Sequence, residues 1–388
     1  MQKKLMAVAV AGALGLPAVA LAQTSTVQIF GTMYTEYTKI TDQGRNAANT
    51  AELSRPDYLQ TPGSEIGFKG EEKLGGGLSV WFQCISTADT RGQSQNGWCG
   101  RNSALGMKGG FGNVFIGNWD TPFKRTAGPN NVGGNDTGSF GTAFLLAGDS
   151  TTTGVGVGNT IFRRRQNNSI NYDSPNFGGF QVMAAFTSAQ TSTGTTTTTT
   201  ADKPRVISLG GQYSAGPLYV AAGYQKMNEL TTTGPVANDA TGWHIGASYT
   251  WGPVRFGGQY TRQEFEAGPV EPKVSAWHVG VDWRIVGPHG MRAAYTVARD
   301  VKGAPAGTAI PGVAASGPGY RPAVGSNTGA DLMQIRYVYT FSKRTEFNFG
   351  YVHLDNESGA AYNLGGLNAA HLAGENQKGW VTSLRHTF

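Results

Sequence analysis

Residues 277–285 read Trp277-His278-Val279-Gly280-Val281-Asp282-Trp283-Arg284-Ile285. Odd positions are apolar or aromatic; three of the four even positions are His278, Asp282 and Arg284. An extended chain sends successive side chains to opposite faces, so as a strand this stretch has one greasy face and one charged face. A soluble sheet would need a second layer over the greasy face. A sheet rolled into a cylinder in a bilayer gives that face to lipid and the polar face to water. Residues 253–265 repeat the pattern, Val254, Phe256 and Tyr260 alternating with Arg255, Gln259 and Thr261.

Working outward, the alternation recurs from about residue 26 to Phe388 in stretches of roughly ten residues separated by turns. It predicts sixteen strands, at 26–38, 64–74, 78–88, 101–109, 113–119, 163–173, 179–189, 205–214, 217–227, 242–251, 253–265, 275–286, 290–300, 331–341, 345–355 and 378–388. Tight Gly/Pro-rich turns such as Gly75-Gly76-Gly77 and Ala215-Gly216 suit reversals. They alternate with longer polar connections at 39–63, 120–162, 190–204, 228–241, 266–274, 301–330 and 356–377. Outer-membrane barrels show this short–long alternation, and an even count closes the sheet without a free edge. The expected architecture is all-β, a 16-stranded antiparallel transmembrane β-barrel. The threonine tract 195–200 reads as a solvated loop tip.

Composition excludes the other membrane class. Hydrophobic residues make up 39% of the 388, Gly numbers 57, and no apolar run of about 18 residues follows the first 22. Residues 1–22 read as a secretory signal: Lys3 and Lys4, a short apolar stretch, then Ala20-Leu21-Ala22 as cleavage site. The chain thus divides into a signal peptide, 1–22, and a barrel, 23–388, exported to the outer membrane of a Gram-negative cell. Cys84 and Cys99 flank a hairpin loop and share a face by parity, which predicts a cross-strand disulfide over the alternative of two buried thiols.

Parity also selects the residues that face water. It places Glu36, Glu65, Lys69, Arg255, Arg284, Arg292 and Arg336 inside, together with His278 and Asp282. Counting back from Ile170 and Tyr172 puts Arg163 and Arg165 inside and Arg164 at the rim. Lys124 and Arg125 open the longest connection, 120–162, whose cluster Phe140, Phe144, Leu145 and Leu146 suits a loop packed on other surface. Basic groups outnumber acids on this list, which predicts a modest anion preference. Each arginine has a second role open to it, pairing with a loop acid such as Asp136 or Asp149. Inward aromatics are few (Tyr34, Trp81, Tyr219), too scattered for a sugar-stacking track.

Other functions find less support. A solute-specific outer-membrane channel is the near alternative. An outer-membrane enzyme needs a His beside a nucleophile or acid, and His244 and His278 lie on non-neighbouring strands. A secreted adhesin leaves the apolar faces unexplained. No metal-ligand spacing or cofactor motif occurs, so no cofactor is expected, and no basic-aromatic surface suggests nucleic acid.

Five stretches carry a family resemblance: TVQIFGTMYTEY (26–37), GSEIGFKGEEKLGGGLSVWFQ (63–83), GRNSALGMKGGFGNVFIGNWDTPF (100–123), NNSINYDSPNFGGFQV (167–182) and SLRHTF (383–388). In this order and spacing the chain resembles the trimeric general porins of the Neisseria and Burkholderia–Bordetella type from betaproteobacterial outer membranes. The resemblance implies a homotrimer set in outer-membrane lipid and lipopolysaccharide, and passive diffusion of ions and small hydrophilic or anionic solutes. It also implies that the third external loop, 120–162, folds into the lumen and constricts it. Phe388 resembles the terminal aromatic that the barrel-assembly machinery reads. Two positions depart from the family pattern: Glu65 stands where an arginine is common, and Gly117-Asn118 replaces Gly-Arg. Both departures remove positive charge.

Overall fold

The computed structural model describes residues 27–43, 57–92, 97–147, 162–187, 205–233, 236–311, 320–365 and 373–388. Residues 1–22, the tract 195–200 and Asp149 lie outside them. The strands are β1 (Gln28–Gln43), β2 (Asp57–Gln60), β3 (Glu65–Gly75), β4 (Leu78–Thr87), β5 (Ser103–Gly109), β6 (Gly112–Asp120), β7 (Arg165–Asp173), β8 (Phe180–Thr187), β9 (Arg205–Ala215), β10 (Leu218–Thr233), β11 (Val236–Trp251), β12 (Val254–Phe265), β13 (Lys273–Val286), β14 (His289–Ala298), β15 (Ala330–Ser342), β16 (Thr345–Asn356) and β17 (Gln377–Thr387).

From β3 onward each strand pairs antiparallel with the next, and β17 returns to β1, with Thr32 opposite Thr387 and Lys39 opposite Trp380. β2 and β3 share β1 as partner: Glu36–Lys39 pair with β2 and Gln28–Thr32 with β3. They form one wall strand broken at Thr61-Pro62-Gly63-Ser64. Pro62 cannot donate to a ladder, and Gly63 adopts φ +72°. The wall therefore counts sixteen strands, closed and antiparallel.

The predicted strands recur with shifts of a few residues and two larger corrections. The connection 39–63 is shorter than expected, because β1 continues to Gln43 and β2 occupies part of it. The connection 228–241 is mostly strand, β10 and β11 continuing as a hairpin past a register shift between Met227 and Thr231.

Register fixes which side chains share a face. Phe82, Leu105, Ile116, Ile170, Phe186 and Ile207 lie side by side on six successive strands, and every one is exposed. One residue along, Gly106, Phe115, Asn171, Ala185 and Ser208 form the row on the opposite face, and Phe115, Asn171, Ala185 and Ser208 are buried. Apolar outside and polar or packed inside is the reverse of a soluble sheet, and lipid is the solvent that accommodates it.

A pair of backbone hydrogen bonds and a disulfide finish the wall. Backbone hydrogen bonds join Gly31 and Phe388 reciprocally, N to O at 3.2 and 3.1 Å. The Phe388 ring lies so close that a Cβ at Gly31 would stand 2.7 Å from Cζ. Cys84 and Cys99 form the expected disulfide, their Cα atoms 4.7 Å apart. Trp98, next to it, packs its ring 5.7 Å from that of Phe68. A crosslink closing a loop of about fifteen residues stabilises by roughly 3 kcal/mol in the chain-entropy account. The double variant Cys84→Ser/Cys99→Ser is expected to keep its strand circular dichroism in detergent yet unfold at lower temperature. A midpoint equal to the parent's would show that the bridge adds no stability.

Candidate functional site

The segment after β6 leaves the ladder and packs on wall side chains. Thr121 caps α1 (Pro122–Ala127), its Oγ1 accepting the Lys124 N–H at 3.4 Å, with Pro122 at the helix start where no donor is needed. A 3-10 turn, Gly128–Asn130, follows, and later the short helix α2 (Ala143–Leu146), buried on all sides. These pieces join Phe123, Phe140, Phe144, Leu145, Leu146 and Phe162 to wall residues such as Val274, Leu332 and Val352 in one apolar cluster.

Wall side chains, and Arg321 of the β14–β15 connection, meet the segment's backbone carbonyls, which a short helix leaves unpaired at its end. Thr261 Oγ1 and Gln263 Nε2 both donate to Leu146 O at 2.7 Å. Arg321 Nη1 donates to Phe144 O at 2.6 Å, and Arg255 Nη2 to Pro129 O at 2.7 Å. Arg336 Nη2 reaches Gly134 O and Asn135 Oδ1, its guanidinium 4.5 Å above the Phe140 ring. His278 Nε2 donates to Val132 O at 2.9 Å, which leaves Nδ1 to accept from Thr296 Oγ1 at 2.8 Å. His244 Nε2 lies 2.9 Å from Thr126 Oγ1 and 3.0 Å from Phe123 O. Both histidines thus hold the segment.

Close approach also needs space. Gly210, Gly223, Gly246, Gly257 and Gly280 sit on the successive strands β9 to β13, each directly under residues 122–132. At Gly280 the demand is absolute: a Cβ there would stand 1.8 Å from Val132 O. Across from it, Gly133 turns at φ +75° and donates its N–H to Asp282 Oδ1 at 3.0 Å.

Charged residues fall into three groups. Glu36 is fully buried and accepts from Tyr34 Oη at 2.8 Å, Gln60 Nε2 at 2.5 Å and Ser139 N at 2.6 Å. Paired groups come next. Glu65 meets Arg101 at 2.7 Å, Lys124 meets Asp120 at 3.3 Å, and Arg125 grips Asp173 with two bonds of 2.7 and 2.8 Å. Arg292 reaches Glu346 at 3.1 Å and Asp282 at 3.7 Å. Arg163, almost without exposure, pairs with Asp136 of the segment. Burial works against the Asp136 charge, but Arg163 and Lys124 nearby hold its carboxyl below the usual carboxylate range. The third group is cationic with neutral partners: Arg255 and Arg336, with Arg321 added by the structure. Lys69 and Arg284 are exposed.

Two positions around Arg163 depart from simple alternation. Asn168 takes φ +52°, and the β6–β7 register shifts between Gly117 and Trp119, so Arg165 comes opposite Asp120 at 3.4 Å. Arg164, expected at the rim, is fully buried, its Nη1 3.4 Å from Met227 Sδ. Sequence reasoning missed Arg321, Gln60 and Gln263. The glycine line was visible in principle: its members fall on the water-facing parity, where a residue without a side chain marks close approach. Among the described residues no cluster of His, Cys, Asp or Glu is arranged to hold a metal, and no helix is long and apolar enough to cross a membrane.

Comparison with known proteins agrees with this architecture. The family described as Gram-negative porin matches residues 7–360. The major outer membrane protein P.IB of Neisseria gonorrhoeae is 30% identical over 169 residues, and that of Neisseria meningitidis serogroup B 31% over 167. These matches cover 43% of this chain and 44% and 45% of those proteins, so the similarity spans less than half of their length. An anion-selective porin from Comamonas acidovorans superposes with TM-score 0.72 at 24% identity, over 94% of this chain and all of that one. The trimer form of OmpT of Vibrio cholerae gives 0.62 at 15% identity, over 94% of this chain and 99% of its own. At such identities these superpositions establish the barrel fold. With wall, register and sequence profile in agreement, the chain belongs to the Gram-negative porin family.

Proposed function

We propose that the protein is an outer-membrane porin, a water-filled channel for passive diffusion of ions and small hydrophilic solutes with a modest preference for anions. The single observation that carries this is the closed wall with its apolar face outward and its polar face inward. Residues 1–22 direct export, the segment around 121–147 crosses and narrows the lumen, and Phe388 serves assembly. The working unit is a homotrimer, in keeping with the trimer form of OmpT. His244 and His278 are engaged by the segment's carbonyls and by threonines, an arrangement that favours a channel over catalysis.

The anion preference rests on how charges are partnered. Arg101, Lys124, Arg125, Arg163, Arg165 and Arg292 each have a carboxylate within reach. Arg255, Arg321 and Arg336 are held by carbonyl oxygens and amides, which orient a guanidinium without cancelling its charge. Against the segment, Glu36 is similarly held by neutral donors. The excess positive potential raises the local anion concentration, and a narrow passage screens it less than bulk salt does. The Comamonas acidovorans porin, named as anion-selective, has the same fold.

Two measurements on the purified protein in planar bilayers test these readings. In a KCl gradient the reversal potential is expected to carry the sign of chloride, and Arg336→Gln to lower the anion-over-cation permeability ratio roughly twofold. Cation preference in the parent would overturn the charge argument. Gly280→Val forces Val132 away and is expected to change the single-channel conductance. Gly211→Ala, whose added Cβ meets nothing nearer than 4.0 Å, is expected to leave it alone. Unchanged conductance in Gly280→Val would mean the segment does not set the bore.

A further inference from the structure

A cavity of about 440 Å³ opens beside the wall of β3 to β6, away from the segment's anchoring residues. Its back is aromatic. Trp81, Phe115 and Trp119 form a mutual cluster, with ring centroids 5.4, 5.0 and 5.7 Å apart. The register explains how they meet: Trp81 and Phe115 flank Gly106, and a Cβ there would stand 2.6 Å from both side chains. Trp119 lies four residues beyond Phe115 on β6, so strand alternation places it on the same side. Phe115 is sealed, whereas Trp119 keeps part of its surface open. Trp81 Nε1 is fixed by Asn113 Oδ1 at 2.8 Å, so the platform is rigid.

Two lysines line this cavity, and they differ. Lys108 Nζ lies 5.5 Å from the Trp81 ring and is paired with Glu71 at 3.0 Å. Glu71 in turn accepts from Ser79 Oγ at 2.7 Å. Lys69 Nζ lies 4.9 Å from the Phe30 ring, is exposed, and has no carboxylate partner among the described residues. The cavity thus offers an aromatic cluster of steeply inclined rings, one cation already neutralised and one available.

A ring-bearing carboxylate fits this set better than either half alone would. An aromatic solute packs edge-on or offset against the tryptophans, an attraction that aliphatic solutes of equal size lack. Its carboxylate then takes a charge-assisted hydrogen bond from Lys69. A neutral sugar would use the ring platform and leave the lysine idle; a bare inorganic anion would do the converse.

Resting on the channel reading above, we propose that this cavity is a binding subsite for small aromatic carboxylates of the benzoate class, entered from the lumen. Occupancy retards the solute and partly obstructs the ion current.

The test uses the full-length protein in planar bilayers with KCl on both sides. Sodium benzoate, cyclohexanecarboxylate and acetate are titrated separately at constant ionic strength. Benzoate is expected to reduce the current at a concentration about 5-fold below cyclohexanecarboxylate, and lower still relative to acetate. Trp119→Leu and Lys69→Gln, each read against its own unblocked current, are expected to shift the benzoate midpoint upward about 5-fold. Lys69 is exposed, so its variant keeps the test alive if Trp119→Leu does not fold. Equal midpoints for benzoate and acetate, or a benzoate midpoint indifferent to Lys69→Gln, would overturn the subsite while leaving the channel intact. Failure to conduct KCl before any benzoate is added would overturn the channel reading itself, and this subsite with it.

Discussion

Hydrocarbon offers no hydrogen bonds, so every strand N–H and C=O in the wall has to find its partner within the chain. That requirement organises the rest of the molecule. It forces the sheet to close, β17 onto β1, and it makes the strand alternation a division between two solvents. The row from Phe82 to Ile207 looks outward over six strands because nothing inside needs it. Where the segment after β6 is irregular, side chains of the wall and of the β14–β15 connection complete its backbone. The carbonyls of α2 and the turn at Val132 are examples, each capped by Thr261, Gln263, Arg321 or His278.

The segment that follows β6 is held by two different devices. One is attractive: guanidinium, imidazole and amide groups donate to its carbonyls, while Glu36 accepts the Ser139 N–H and Asp282 the Gly133 N–H. The other is an absence of bulk, the glycines of β9 to β13 on which residues 122–132 lie. Position and charge are thereby coupled, since Arg255 and Arg336 anchor the backbone and keep their positive charge. A carboxylate in the place of those carbonyls would offset the guanidinium charge it anchored.

Much of this was legible in the chain itself. Strand number, pairing order and the disulfide follow from period-two alternation and from turn residues, which act locally. The faces of Glu36, Arg255, Arg292 and Arg336 follow from the same parity. What escaped depends on registers and approaches that no short window contains. The slip at Asn168 moves Arg165 opposite Asp120. Pro62 and Gly63 break the second wall strand, so β2 hid in an apparent loop. The Met227–Thr231 irregularity concealed the full length of the β10–β11 hairpin. Arg321 lies in a loop with no alternation, so no parity argument reaches it. The partner of each arginine, carboxylate or carbonyl, is likewise a product of folding.

The Gly31–Phe388 bonds belong to the β17–β1 seam, whose paired residues lie farther apart in sequence than any others in the wall. Bringing them together costs more chain entropy than any hairpin between neighbouring strands. The pairing that removes the sheet's two free margins is therefore also its least local one, and circularity is gained at the slowest kind of contact to form.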